Sequence, residues 1–267
     1  MPAIAPSSEH WIGTAHGRLY ARRWQAADDA GQLAPIVLLH DSLGCVQLWR
    51  DFPARLAAHS GRTVIGYDRL GFGRSDPHHD SLGADFIQQE AAEFFPALRA
   101  HFDLQRFVVL GHSVGGGMAV QCAARYASAC DGLITIAAQA FVEERTRQGI
   151  LAAQRQFQQP EPRQRLQRYH GAKAPWVLAA WIDTWLSPAF ADWSLQPVLP
   201  QVRCASLVLH GSDDEYGSRR HPEQLAAGLG GPVQLELMPA VRHLPHREQE
   251  AWVLARIARF LAPAAGG

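Results

Sequence analysis

Gly111-His112-Ser113-Val114-Gly115 lies between an apolar run, Phe107-Val108-Val109-Leu110, and a run with helical character that begins at Gly116. This strand–turn–helix context puts a serine hydroxyl on a sharp turn above a sheet. A helix N-terminus then lies beneath it, where negative charge developing on a substrate is favoured. Glycine is expected at 111 and 115 because a side chain at either position would crowd the neighbouring strand or helix. Serine is a weak nucleophile and needs a base within hydrogen-bond reach. Val241-Arg242-His243-Leu244-Pro245-His246 supplies one, on a loop between a late strand and the C-terminal helix. His243 is the candidate base. His246 is the competitor, three residues on and close to the helix start, where it is expected to support the loop. An imidazole acting as a base also needs a carboxylate on its other ring nitrogen. Three consecutive acids, Asp213, Asp214 and Glu215, follow the apolar run Ser206–His210 and offer that carboxylate.

The elements that must position these groups alternate short β-branched runs with longer helical patterns, the rhythm of a largely parallel α/β sheet. Strands are expected at 10–14, 18–24, 35–40, 62–68, 106–111, 132–138, 205–210 and 233–238. The first two are expected to form an antiparallel hairpin around His16-Gly17. From Pro35 onward the strands are mostly continuous apolar runs, as when both sheet faces are covered. Helices are expected at 47–59, 84–101, 114–128, 221–229 and 247–261. The rhythm breaks between Phe141 and Pro200, a stretch with helical character, no convincing strand and many aromatics, among them Trp176, Trp181, Trp185 and Trp193. Residues 1–140 and 201–267 therefore read as one core and 141–200 as a helical cap over the sheet's C-terminal edge. The sequence does not set which cap aromatics hold the cap together and which line a pocket. The tail at 262–267 is expected to fray.

Lys+Arg and Asp+Glu both number 25. That balance gives no electrostatic footprint for nucleic acid or an anionic membrane. The first residues lack a basic start followed by an apolar core, so no secretory signal is expected. No stretch approaches the ~20 apolar residues that span a bilayer. Cys45, Cys122, Cys130 and Cys204 show no CxxC spacing, so neither a metal site nor a disulfide framework is expected, and a cytoplasmic setting follows. Cys122 and Cys130 read as small core residues on a predicted helix.

The order nucleophile, acid, histidine, the elbow GHSVGG and the segment YDRLGFGRSD (Tyr67–Asp76) together resemble the α/β-hydrolase superfamily. The resemblance covers essentially the whole chain and is weakest over 141–200. It implies an eight-stranded, mostly parallel sheet covered by helices on both faces, an acyl-enzyme mechanism and no cofactor. The Gly-x-x-Asp spacing from Gly211 in that family selects Asp214 as the acid, with Asp213 as the alternative. Residues 68–75 are a structural loop in the family, so Arg69 and Arg74 are expected to be salt-bridged and not substrate-binding. Alignment of His40-Asp41-Ser42 with the family's His-Gly motif implies that the N–H groups of Ser42 and Val114 form an oxyanion hole. Asp41 departs from the family's glycine. Its carboxylate is expected to point away from the hole, held by backbone N–H groups or an arginine. Asp41→Gly would then change turnover little.

The expected activity is hydrolysis of an ester, thioester or lactone of a small, rather apolar molecule, with no partner implied beyond that substrate and the oligomeric state left open. C–C bond hydrolysis of a ring-cleavage product and cofactor-free perhydrolysis use the same three residues, and a non-catalytic ligand-binding protein can share the fold. Dehalogenation is disfavoured, because it needs an aspartate where this chain has Ser113.

Overall fold

The computed structural model describes residues 5–26 and 33–262; the expected frayed tail lies, apart from Ala262, outside the described residues. Eight strands form one sheet: β1 (Ser7–Thr14), β2 (Gly17–Trp24), β3 (Ile36–Leu39), β4 (Val64–Tyr67), β5 (Phe107–His112), β6 (Cys130–Ile136), β7 (Ala205–Gly211) and β8 (Val233–Met238). Their spatial order is β1-β2-β4-β3-β5-β6-β7-β8. β1 and β2 pair antiparallel around a turn at Ala15-His16, β2 meets β4 antiparallel, and every other pairing is parallel. β1 begins at Ser7, three residues before the expected start. Ser7, Ser8 and Glu9 are exposed on the sheet's edge and give no apolar signal there.

The helices are α1 (Phe52–Ser60), α2 (86–101), α3 (Val114–Arg125), α4 (Glu144–Gln156), α5 (Pro160–His170), α6 (Ala174–Leu186), α7 (Arg220–Gly228), α8 (Pro245–Glu248) and α9 (Glu250–Leu261). The helix expected at 47–59 divides. A 3-10 turn at Val46–Trp49 ends at Arg50, whose φ of 54° leaves the helical region, and α1 restarts with Pro53 in its first turn. Within α2, Glu90–Phe94 widens to π-helical geometry just before Pro96. A proline lacks the N–H that would close the preceding α turn and its ring crowds the carbonyl four residues back, so the wider turn accommodates it.

Alternate side chains of the buried strands enter opposite cores, as the period of two requires. Ile36 and Leu38 of β3 join Val108 and Leu110 in a core covered by α1 and α9. Val37 and Leu39 join Val109 in the core covered by α2, α3 and α7. Cys122 lies on α3 as expected, but Cys130 opens β6 and is not helical. That places Cys130 beside Cys204, the two sulfurs 3.7 Å apart as free thiols.

Between β6 and β7 the chain contributes α4, α5 and α6 and adds no strand to the sheet; one isolated bridge joins Phe141 to Ser194. The corner between α5 and α6 docks on the 68–80 loop. The lone lysine, Lys173, donates from Nζ to the carbonyls of Phe72 and Ser75, and Trp176 Nε1 donates to Asp80 O at 3.0 Å. No helix among the described residues is long and apolar enough to cross a membrane.

Candidate active site

Ser113 sits between β5 and α3 with φ 56° and ψ −124°, a conformation that costs energy for any residue with a Cβ. The glycines make the turn possible. A Cβ on Gly111 would lie 2.0 Å from Gly115 O, and one on Gly115 would lie 2.2 Å from Leu39 O. The elbow is therefore pressed against both its own helix and the end of β3, and the Ser113 N–H is held by Ile136 O at 2.9 Å. Val114 is the first residue of α3, so its N–H has no intrahelical acceptor.

His243 reaches this serine from the loop after β8. Its Nε2 lies 3.0 Å from Ser113 Oγ, and its Nδ1 lies 2.8 and 2.9 Å from the two oxygens of Asp214. A carboxylate only accepts, so Nδ1 carries the hydrogen and Nε2 is left as the acceptor for the serine hydroxyl. Asp214 is fully buried and also accepts from the N–H groups of Tyr216 and Gly217. Burial opposes charge on Asp214, but the hydrogen bond and charge of His243 outweigh it and hold the carboxyl below its ordinary range. Burial likewise opposes charge on His243, and the Asp214 hydrogen bond and charge raise its pKa above the ordinary value. The loops carrying the acid and the histidine fit closely, because a Cβ on Gly211 would stand 2.2 Å from Val241 O.

Asp213 stays outside this chain, exposed, with its carboxylate on the Ser212 hydroxyl. His246 is buried against Trp49, Phe52 and His112, with no hydrogen-bond partner for Nδ1 among the described residues. Neither residue is in the Ser113 network.

The loop at 40–44 faces the elbow. The carbonyl of Asp41 accepts from His40 Nδ1 at 2.8 Å, Arg69 Nη2 at 3.1 Å and the Gly44 N–H at 3.1 Å. In a trans peptide the N–H points opposite the C=O. The Ser42 N–H therefore faces away from these three donors, and Ser42 lines the cavity above Ser113. The Asp41 carboxylate accepts from the Leu43 N–H at 2.9 Å and lies 3.2 Å from His112 Nδ1. A backbone N–H, one of the two expected holders, and a histidine in place of an arginine thus hold it. Arg74 pairs with Glu9. Arg69 instead donates to a backbone carbonyl and stacks on Phe72, so the salt bridge expected for it is replaced by a role in holding this loop.

A cavity of about 310 Å³ opens over Ser113 and His243. Its apolar wall is Leu43, Leu48, Ile150, Trp181, Trp185 and Leu244, with Gln139, Thr146, Tyr216, Glu215 and Arg247 as polar lining. Of the aromatics between β6 and β7, Trp181 and Trp185 reach the cavity, while Trp176 packs against Gly71 and Phe72. Gln139 was not anticipated. Its Oε1 lies 3.2 Å from Ser113 Oγ, a second partner for the hydroxyl. The available signal was a polar residue just past the C-terminal end of a parallel strand, where ligands of α/β sheets bind. Among the described residues no cluster of His, Cys, Asp and Glu is arranged to hold a metal ion.

Residues 34–201 match the family described as the alpha/beta hydrolase fold. The chain belongs to the α/β hydrolase family. The mouse serine hydrolase BPHL is 27% identical over 223 residues, which cover 79% of this chain and 73% of that relative. Among solved structures, proline iminopeptidase of Mycobacterium smegmatis superposes with a TM-score of 0.72 at 22% identity, covering 95% of this chain and 97% of that one. Carboxylesterase CesB of Bacillus subtilis superposes with a TM-score of 0.71 at 17% identity, covering 96% and 92%. At such identities the two structures speak for the hydrolase fold alone.

Proposed function

We propose that this α/β hydrolase cleaves an ester, thioester or lactone of a small, rather apolar molecule through an acyl-enzyme on Ser113. The observation that carries the reading is the continuous hydrogen-bond chain from Asp214 through His243 to Ser113 at the floor of a cavity. In this scheme Ser113 Oγ attacks the carbonyl carbon while His243 Nε2 takes its proton. The same proton passes to the leaving oxygen or sulfur as the acyl bond breaks. A water, deprotonated by His243, then attacks the acyl-enzyme and releases the acid and Ser113. Asp214 holds the imidazole in the required tautomer and stabilises its charged form. The Ser42 and Val114 N–H groups would receive the oxyanion, each worth ~10²–10³ in turnover where such donors have been removed. Residues 141–200 act as a cap, with Trp181 and Trp185 giving the pocket its apolar character. The name of the mouse relative, a serine hydrolase, agrees with this assignment.

Fluorophosphonate labelling and an acyl-chain-length series of p-nitrophenyl esters test it. Wild type should label on Ser113 and turn over the short esters; Ser113→Ala should do neither while keeping its melting temperature. A protein that neither labels nor turns over any ester would overturn the proposal.

A further inference from the structure

The Asp41–His112 contact joins three loops at once. His112 Nε2 lies 2.8 Å from the backbone carbonyl of His243, and a carbonyl only accepts, so Nε2 donates. Its Nδ1 faces Asp41 Oδ2 at 3.2 Å. Burial opposes charge on Asp41, but the hydrogen bond to His112 outweighs it and holds the carboxyl below its ordinary range, and the 3.2 Å contact ties that carboxyl to the ring. The second carboxylate oxygen of Asp41 takes the Leu43 N–H, closing a turn around Ser42.

We infer that Asp41 and His112 form a positioning bridge: the carboxyl group and the imidazole together tie the loop presenting the Ser42 N–H to the elbow and to the backbone of His243. The inference rests on the hydrolase reading. Nucleophile, base and oxyanion donor come from segments far apart in sequence, and displacement of any one of them by a fraction of an ångström weakens transition-state stabilisation more than substrate binding. The common glycine at position 41 has no side chain to make this tie. In this chain the aspartate makes it, and the histidine preceding the nucleophile is its counterpart. The bridge reverses the expectation that Asp41→Gly is nearly silent.

The test compares Asp41→Gly, Asp41→Asn, His112→Gln and the Asp41→Gly/His112→Gln double variant, with p-nitrophenyl acetate turnover and fluorophosphonate labelling as readouts. Gln at 112 retains a donor for His243 O while cutting the link to Asp41, so it isolates the bridge even if Asp41→Gly folds poorly. Both single cuts should lower kcat and the labelling rate by ~10- to 10²-fold with KM unchanged, a size typical of small misplacements. Asp41→Asn should be intermediate, and the double variant no worse than the worse single one, because both break the same link. NMR of ¹⁵N-histidine-labelled wild type should show an exchange-protected Nε2–H proton for His112, and the Nδ1 shift of His112 should move in Asp41→Gly. Unchanged kcat, additive losses, a rise in KM or an unmoved Nδ1 shift in Asp41→Gly would each overturn the bridge. If the Nδ1 shift moves and wild type neither labels nor turns over ester, it is the hydrolase reading that fails, and the catalytic role of the bridge falls with it.

Discussion

Two loops face each other across the cavity, and they are held in place by different physics. The elbow is fixed by sterics: Gly111 and Gly115 permit close backbone approach, and Ser113 occupies the single strained conformation that fits. The 40–44 loop is fixed by side chains from elsewhere: Arg69 on the carbonyl of Asp41, His112 on its carboxylate, and His170 on the carbonyl of Leu43. Steric fixing tolerates no extra atom and has no dependence on pH. Hydrogen-bonded fixing tolerates change more gradually and depends on the protonation state of histidines. The loop after β7 combines both, with Gly211 in close contact and Asp214 hydrogen-bonded.

The largest effect should come from breaking the steric side. A methyl at Gly115 would lie 2.2 Å from Leu39 O and 2.6 Å from His40 O, both backbone atoms that cannot step aside. Gly115→Ala should lose stability at the upper end of the ~1–3 kcal/mol typical of overpacking, with activity lost alongside. Gly117, two residues further along α3, is the control: its Cβ would meet nothing nearer than 3.4 Å. Gly117→Ala should be neutral or gain up to ~1 kcal/mol from helix propensity. Thermal melts of the two variants decide the matter, and equal melting temperatures would refute the steric account.

Next comes the loop of mixed character. Asp214→Asn should cut turnover by up to ~10⁴, while Asp213→Asn, whose exposed carboxylate accepts from the Ser212 hydroxyl, should cost far less. The pH profile adds a sign. An imidazole can serve as a base only when neutral, and the folded pKa of His243 is raised, so turnover should fall with acidification through a midpoint above the usual ~6.5. In Asp214→Asn the carboxylate's charge is gone and burial remains, so the midpoint of the labelling rate should move down. A midpoint that stays put would remove Asp214 from its assigned role.

The same division explains what could be read from the residues alone. The elbow is specified within five consecutive positions, so its context was visible along the chain, and the strand rhythm sufficed for the fold. The 40–44 loop was not legible, because its partners lie 28, 71 and 127 residues away. Arg69 was expected to meet an acid, and nothing local indicated that a carbonyl would take its place. Gln139 escaped for a related reason: it gains meaning only when the end of β6 is set beside the elbow. The π-helical stretch in α2 answers to Pro96, but a single proline in a helical pattern signals a disturbance without saying whether the helix breaks, kinks or widens.

The smallest effect should come from the most remote anchor. His170, at the end of α5, accepts the Gly73 N–H on Nδ1 at 2.9 Å, so its proton is on Nε2, which donates to Leu43 O at 3.0 Å. Both bonds need the neutral ring, and burial, its largest influence, lowers its pKa below the ordinary value. A histidine whose folded pKa lies below its unfolded one binds fewer protons folded than unfolded. Its contribution is therefore complete above the unfolded value of ~6.5 and is lost as the pH falls. His170→Ala should cost ~1–3 kcal/mol at pH 7.5, since it strands one buried donor and one acceptor. Turnover should change less than in the Asp41 and His112 variants, because Leu43 is one residue removed from the N–H at Ser42. The gap in stability between wild type and variant should then narrow toward pH 5, where wild type must pay to keep the ring neutral or give up the Gly73 bond. Urea melts of the two proteins across that range measure it. A gap of constant size from pH 7.5 to 5 would mean that the ring does not hold the loop through its neutral form, and the contrast between a pH-independent elbow and a pH-sensitive facing loop would lose its most distant support.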